Sequence, residues 1–277
     1  MSFRSRRYLM CAPEYFDVVY EINPWMDART PVDRDRAVAQ WQGLVDTYRA
    51  LGHEVHLLTP QPGLPDMVFA ANGATCVDGR VLGAAFAPPQ RRAEAAQHLD
   101  WHVRHAAELG WEAVVEPEHT NEAEGDFAVV GDVVLAGHGF RTDPRAHAEL
   151  ADTVGRPVVS LRLVDERYYH LDTALGVLDD RPGSADVAYH PGAFSEGSRR
   201  ILERLFPDAV LADETDAEVL GLNLVSDGAN VVLPERAEKL AAQLAERGYV
   251  PVPVDLSELL KGGGSVKCCT QELRPAG

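Results

Sequence analysis

Two hydrophobic periods alternate along this chain. Short apolar runs give way to stretches in which apolar residues recur at helical spacing, and the alternation repeats at roughly 40–50 residues. The run YLMCAP opens the first unit. Ala37, Trp41, Leu44, Val45 and Tyr48 then share one face, with Asp33 placed to cap a helix and Gly52 to stop it, and EVHLLTP follows as a strand.

The second unit holds DMVFAANGATCVDGRVLGAAF, with Asp78-Gly79 as a hairpin turn, a helix over about 90–109 and the strand WEAVVEP. GDFAVVGDVVLAGHG turns at Gly131-Asp132 and leads to a short helix from Pro144 and the strand PVVSLRL. The fourth unit reads HLDTALGVLDD, ADVAYHP, a helix near Ser195–Leu205 and AVLA. The fifth reads LNLVSDGANVVLP, a helix from Glu235 to Arg247 ending at Gly248, and VPVPVDL; KCCTQEL is expected to add a last strand. Strand–turn–strand–helix–strand, about five times over, predicts a radially repeated α/β fold. Ordinary α/β alternation would leave a similar trace. No Gly-, Ser- or Pro-rich linker divides the chain, so a single domain over 1–277 is expected.

Composition narrows the function classes. Of 277 residues, 45% are hydrophobic and 25% charged, enough apolar material for a large core. The basic N-terminus lacks the apolar stretch of a signal peptide, and no run is long enough to span a membrane, so cytoplasmic residence is expected. A formal charge of −17 argues against nucleic acid and anionic membrane surfaces as partners, and suits a small cationic substrate as well as it suits plain solubility. Of the four cysteines, Cys268 and Cys269 are adjacent, a spacing that rarely forms an unstrained disulfide, and all four are expected as reduced thiols.

No phosphate loop, zinc-binding H-E-x-x-H or G-x-S-x-G elbow occurs. What stands out is polar residues set in apolar strands. Cys268 follows the flexible run GGGSVK, where Lys267 could lower a thiol pKa; the pair of cysteines could equally be ordinary strand residues. In an extended strand His170 and Asp172 would share one face and could serve a thiol as acid–base and carboxylate, or simply satisfy each other at a strand start. Glu122, Glu124 and Asp126 crowd TNEAEGDFAVV and suit a cation, a histidine partner or a solvated turn. Asn72 ends the apolar strand DMVFAAN, where a buried amide needs partners or a ligand. Arg91 and Arg141 each open a new element and could hold a carboxylate bidentately, or lie on the surface.

Taken together, MCAPEYFDVVYEINPWM, DRAVAQW, PDMVFAANGA, GHGFR, SLRLVDERYYHLDT, HPGAF and GGGSVKCCT resemble, in order and over almost the whole chain, the pentein superfamily of guanidine-modifying enzymes. The resemblance is strongest to the N-terminal domain of arginine dihydrolases and extends to dimethylarginine dimethylaminohydrolases and arginine deiminases. It implies a five-bladed α/β propeller with its site at one end of the axis. It further implies Cys268 as nucleophile, His170 as general acid/base, Glu122 as the carboxylate partnering that histidine, and Asp172 as the group gripping the guanidinium. Asn72 falls where deiminases and dimethylarginine hydrolases place a second guanidinium-binding Asp and dihydrolases place Asn. Arg91, Arg141, Asp66 and Asn23 resemble residues holding the amino-acid end of the substrate, with Phe69 a further substrate-binding position. The carboxylate motif, usually Phe-Glu-Gly, reads Asn121-Glu122-Ala123 here, which leaves Glu124 as a second candidate. The second domain of the dihydrolases has no counterpart, so guanidine chemistry alone is expected.

The expected function is therefore hydrolysis of arginine to ornithine, carbon dioxide and ammonia through a covalent thiouronium and citrulline, with no metal and no cofactor. The alternatives are dimethylarginine hydrolysis, a deiminase stopping at citrulline, amidinotransfer, and a non-catalytic arginine-binding protein.

Overall fold

The computed structural model describes residues 2–276 and arranges them in five three-stranded sheets. Four modules repeat one connectivity: an antiparallel hairpin, a helix, and a third strand parallel to the second. They comprise β3 (Ala74–Val77), β4 (Arg80–Gly83) and β5 (Ala113–Val115); β6 (Phe127–Val130), β7 (Val133–His138) and β8 (Val158–Arg162); β9 (Leu175–Asp179), β10 (Asp186–Tyr189) and β11 (Val210–Leu211); and β12 (Val225–Ser226), β13 (Asn230–Pro234) and β14 (Val250–Val254). The remaining module is built from both ends of the chain. β1 (Arg7–Cys11) pairs in parallel with β2 (Glu54–Leu58) and antiparallel with β15 (Gln271–Glu272), through Tyr8↔Glu272 and Leu9↔Gln271. β9 lies against β6 and β12, and β15 against β3, so the short first strands surround a common axis. This is the five-bladed α/β propeller expected of a pentein.

The helices form where the apolar period demands them. α1 (Arg34–Ala50) buries Ala37, Trp41, Leu44, Val45 and Tyr48, and Asp33 accepts its capping bond from Arg36 N–H. Asp78 and Gly79 both have positive φ, 48° and 79°, the geometry that lets a two-residue hairpin match strand twist. The second helix is shorter than expected: it ends at Arg104, where the His105 ring bonds the Trp101 carbonyl, and a separate turn continues to Gly110 in the left-handed conformation.

Three expected strands are not strands, and all three border the site. DMVFAAN forms two 3-10 turns, Pro65–Val68 and Ala70–Asn72, because Phe69 and Gly73 N–H bond carbonyls three residues back. His170 caps a short helix, Leu171–Ala174, whose first N–H is taken by Asp126 Oδ1 at 3.0 Å, a partner from another module. In KCCTQEL only Gln271–Glu272 is strand; Cys269 and Thr270 N–H turn back to Ser265 and Lys267 carbonyls. Each backbone finds local or tertiary acceptors in place of a ladder. Among the described residues no helix is long and apolar enough to cross a membrane.

Candidate active site

The ten selected residues meet in one connected set. Cys268 sits on the turn after the glycine run, 2% exposed, with its Sγ 3.3 Å from Asp172 Oδ2. Asn223 donates to that sulfur from the other side at 3.1 Å. His170, from the helix cap, places Nε2 2.8 Å from Glu122 Oε2, and Arg141 Nη1 reaches the same oxygen at 2.9 Å. Glu124, the second candidate for this partnership, points elsewhere: it pairs with Lys267 and Arg274 and accepts Glu272 N–H.

Gly125 decides how closely these groups approach. A Cβ built there would lie 2.4 Å from Asn72 Nδ2 and 3.1 Å from His170 Nδ1, so only a glycine admits both. Two residues earlier, Ala123 takes φ 49°, the left-handed conformation, at the position where the family motif has glycine. The turn geometry is kept although the residue is not.

A second layer surrounds the first. Arg91 Nη1 donates to Asn72 Oδ1 at 2.8 Å, and the same guanidinium pairs with Glu94 at 2.8 Å and bonds the Asp66 carbonyl at 3.2 Å. Asp66 accepts from Tyr20 at 2.9 Å. Arg141 is held by the Ile22 carbonyl at 2.7 Å and lies over the Tyr169 ring. Asn23 donates to the Gly262 carbonyl at 3.2 Å, and Phe69 packs on Gly262 and Gly264. Both arginines thus have carboxylate partners within the protein. Asp66 Oδ1, His170 Nδ1 and Asp172 Oδ1 are buried with no hydrogen-bond partner among the described residues. Three orphaned polar atoms at one site are what a polar ligand would satisfy.

The electrostatics differ from the expectation that Lys267 lowers the Cys268 pKa. Burial and the neighbouring Asp172 push the thiol well up, and Lys267 is occupied by Glu124. Asp172 itself is raised to about 7 by burial, which the Cys268 hydrogen bond partly opposes. The shift of the thiol favours its protonated form, which donates to Asp172 Oδ2. Glu122 is the reverse case: burial alone would raise it, but Arg141 and His170 hold it well below the usual carboxylate range.

Asn223, Tyr169, Tyr20 and Glu94 were not among the residues selected from sequence. Asn223 carries the signal that singled out Asn72, an amide within the apolar run VLGLNLV. The other three carry no signal, because their roles depend on which module faces them.

The chain is similar to known guanidino-group hydrolases along most of its length. The family of eukaryotic N,N-dimethylarginine dimethylhydrolases matches residues 21–178. An N(G),N(G)-dimethylarginine dimethylaminohydrolase of Mycobacterium tuberculosis is 53% identical over 98% of this chain and 87% of its own length. A bifunctional arginine dihydrolase/ornithine cyclodeaminase of Nostoc is 36% identical over 95% of this chain, which spans only 37% of that protein. The crystal structure of the N-terminal domain of a cyanobacterial arginine dihydrolase bound to substrate superposes with a TM-score of 0.88 at 32% identity, covering 99% of this chain and all of that domain.

Proposed function

This chain belongs to the dimethylarginine dimethylaminohydrolase family of guanidino-group hydrolases, and within it we propose the activity of an arginine dihydrolase, carried out by residues 1–277 as one guanidine-modifying domain. Cys268 is the nucleophile, His170 the acid–base and Glu122 its partner. Asp172 holds the guanidinium, while Asn72, Asp66, Asn23, Phe69 and the two arginines form the rest of the pocket.

A guanidinium seated against Asp172 neutralises the charge that, with burial, keeps the thiol protonated, so substrate binding favours the thiolate. The sulfur then attacks the guanidinium carbon. As the C–S bond forms, His170 protonates one nitrogen, the C–N bond breaks and ammonia leaves. Water, deprotonated by His170, attacks the thiouronium; the C–S bond breaks, the thiolate returns and citrulline results. A second cycle consumes one more water and releases ornithine, carbon dioxide and ammonia.

The orientation of Asn72 carries this reading. Arg91 has no acceptor atoms, so it takes Asn72 Oδ1 and leaves the Nδ2 donor beside Gly125 and His170, with only a long 3.5 Å bond to the Glu122 carbonyl. A donor there suits the ureido oxygen of citrulline, which a carboxylate would repel, and retains the intermediate for the second attack. Dimethylarginine hydrolysis is the second reading, favoured by the M. tuberculosis relative that bears that name. The test is to offer arginine, citrulline and asymmetric dimethylarginine and identify products over time. Ornithine from both arginine and citrulline supports the dihydrolase; dimethylamine release with no consumption of citrulline selects the second reading.

A further inference from the structure

Asn223 is fully buried, and all the hydrogen-bonding capacity of its amide is used. Oδ1 accepts the backbone N–H of Cys268 at 3.0 Å and of Ser265 at 3.2 Å. Nδ2 donates to the Asp172 carbonyl at 3.1 Å and to Cys268 Sγ at 3.1 Å. The backbone of Asn223 is tied as well: its N–H bonds the Leu220 carbonyl at 2.9 Å, and its carbonyl accepts Lys267 N–H at 3.2 Å.

This arrangement admits one amide orientation. Two backbone N–H groups need an acceptor, so Oδ1 must face them and Nδ2 must face the sulfur and the Asp172 carbonyl. Asn223 is the only side chain donating to Cys268 Sγ among the described residues. Its surroundings otherwise disfavour an anion there: the sulfur is buried, Asp172 is negative when ionised, and Lys267 is engaged with Glu124. A hydrogen bond to the charged form is stronger than one to the neutral form, and selectively stabilises it.

We propose that Asn223 is a further catalytic residue of this enzyme, the fixed N–H donor that stabilises the Cys268 thiolate before attack and again when it departs from the thiouronium. The proposal rests on Cys268 being the nucleophile and adds a group that the family motifs quoted above do not contain.

The experiment follows alkylation of the thiol by iodoacetamide against pH, with the modified residue located by mass spectrometry. Asn223→Asp keeps the acceptor for both backbone N–H groups and turns the donor into an acceptor. It is expected to shift the alkylation profile of Cys268 upward by one pH unit or more, a tenfold or greater loss of thiolate at fixed pH. The same variant should lose kcat by at least tenfold with a smaller change in KM. An Asn223→Asp protein that melts like wild type, and whose Cys268 profile and kcat are unchanged within threefold, overturns the proposal. Should the variant not fold, the wild-type protein decides: the Asn223 side-chain ¹⁵N resonance is expected to titrate with Cys268 and to stop doing so in Cys268→Ala. An Asn223 resonance that ignores the thiol titration overturns it equally. Alkylation of Cys269 with Cys268 inert, and full activity in Cys268→Ser, would instead remove the nucleophile on which the proposal stands.

Discussion

Arg91 and Asn72 are joined by a 2.8 Å hydrogen bond from Nη1 to Oδ1, and through it an arginine paired with Glu94 sets which end of the amide lies beside Gly125 and His170. Asn72→Asp would replace the Nδ2 donor with an acceptor. A charge-assisted bond contributes about 1.5–3 kcal/mol against about 1 kcal/mol for a neutral one, so the variant should hold guanidinium more tightly and citrulline less. The product ratio from arginine is expected to move from ornithine toward citrulline, measured by amino-acid analysis over time. An unchanged ratio would separate Asn72 from the choice of product.

Glu122 and Glu124 stand two residues apart and should respond differently. Glu122→Gln removes the charge opposite His170 and Arg141, and kcat is expected to fall by roughly 10²-fold, the scale for disabling a positioned acid–base group. Glu124→Gln loosens the Lys267–Arg274 cluster instead. It should lower the melting temperature while most activity survives below it. Thermal melts and initial rates on both variants check this; the opposite assignment of losses would make Glu124 the histidine's partner.

Ala123→Gly should leave stability within about 1 kcal/mol of wild type. Relief of the left-handed strain at φ 49° offsets the added backbone entropy and the lost methyl. Ala123→Val, branched at a fully buried position with positive φ, should cost about 2 kcal/mol or more. Urea denaturation of the pair is the measurement, and equal stability of the two variants would mean the turn relaxes around the side chain.

His98 and His102 are buried on the second helix (Arg92–Arg104), and burial depresses their pKa values to about 3 and about 4. The folded state keeps both neutral, whereas the unfolded chain takes up protons near 6.5. Their contribution to stability is therefore complete above 6.5 and is lost as pH falls from there toward the folded values, by up to about 1.4 kcal/mol per unit for each ring. Glu94, Asp126 and Asp172, raised by burial to about 7, 6 and 7, slope the other way. The informative quantity is thus the difference between variant and wild type: His98→Leu should lose less stability than wild type between pH 7 and pH 5. Parallel curves for the two proteins would show that the His98 ring stays solvated.

The hydrophobic pattern by itself determined the repeated module, the faces of the helices and the hairpin turns, because periodicity and turn chemistry are local. It also exposed polar residues stranded in apolar runs, among them Asn72 and Cys268. Local pattern failed where the backbone finds its partners elsewhere. DMVFAAN reads as a strand, but its N–H groups close on themselves as turns; His170 itself stays extended, and the chain turns helical from Leu171, whose N–H is taken by Asp126 from another module. Only the closed ring decided which of two nearby glutamates faces His170, which way the Asn72 amide points, and that Lys267 serves Glu124 and not the thiol. Each of those outcomes is a pairing between side chains far apart in sequence. Such pairings are selected by burial, which leaves a charge or an amide no water to fall back on and so forces it onto the partner the fold brings within reach.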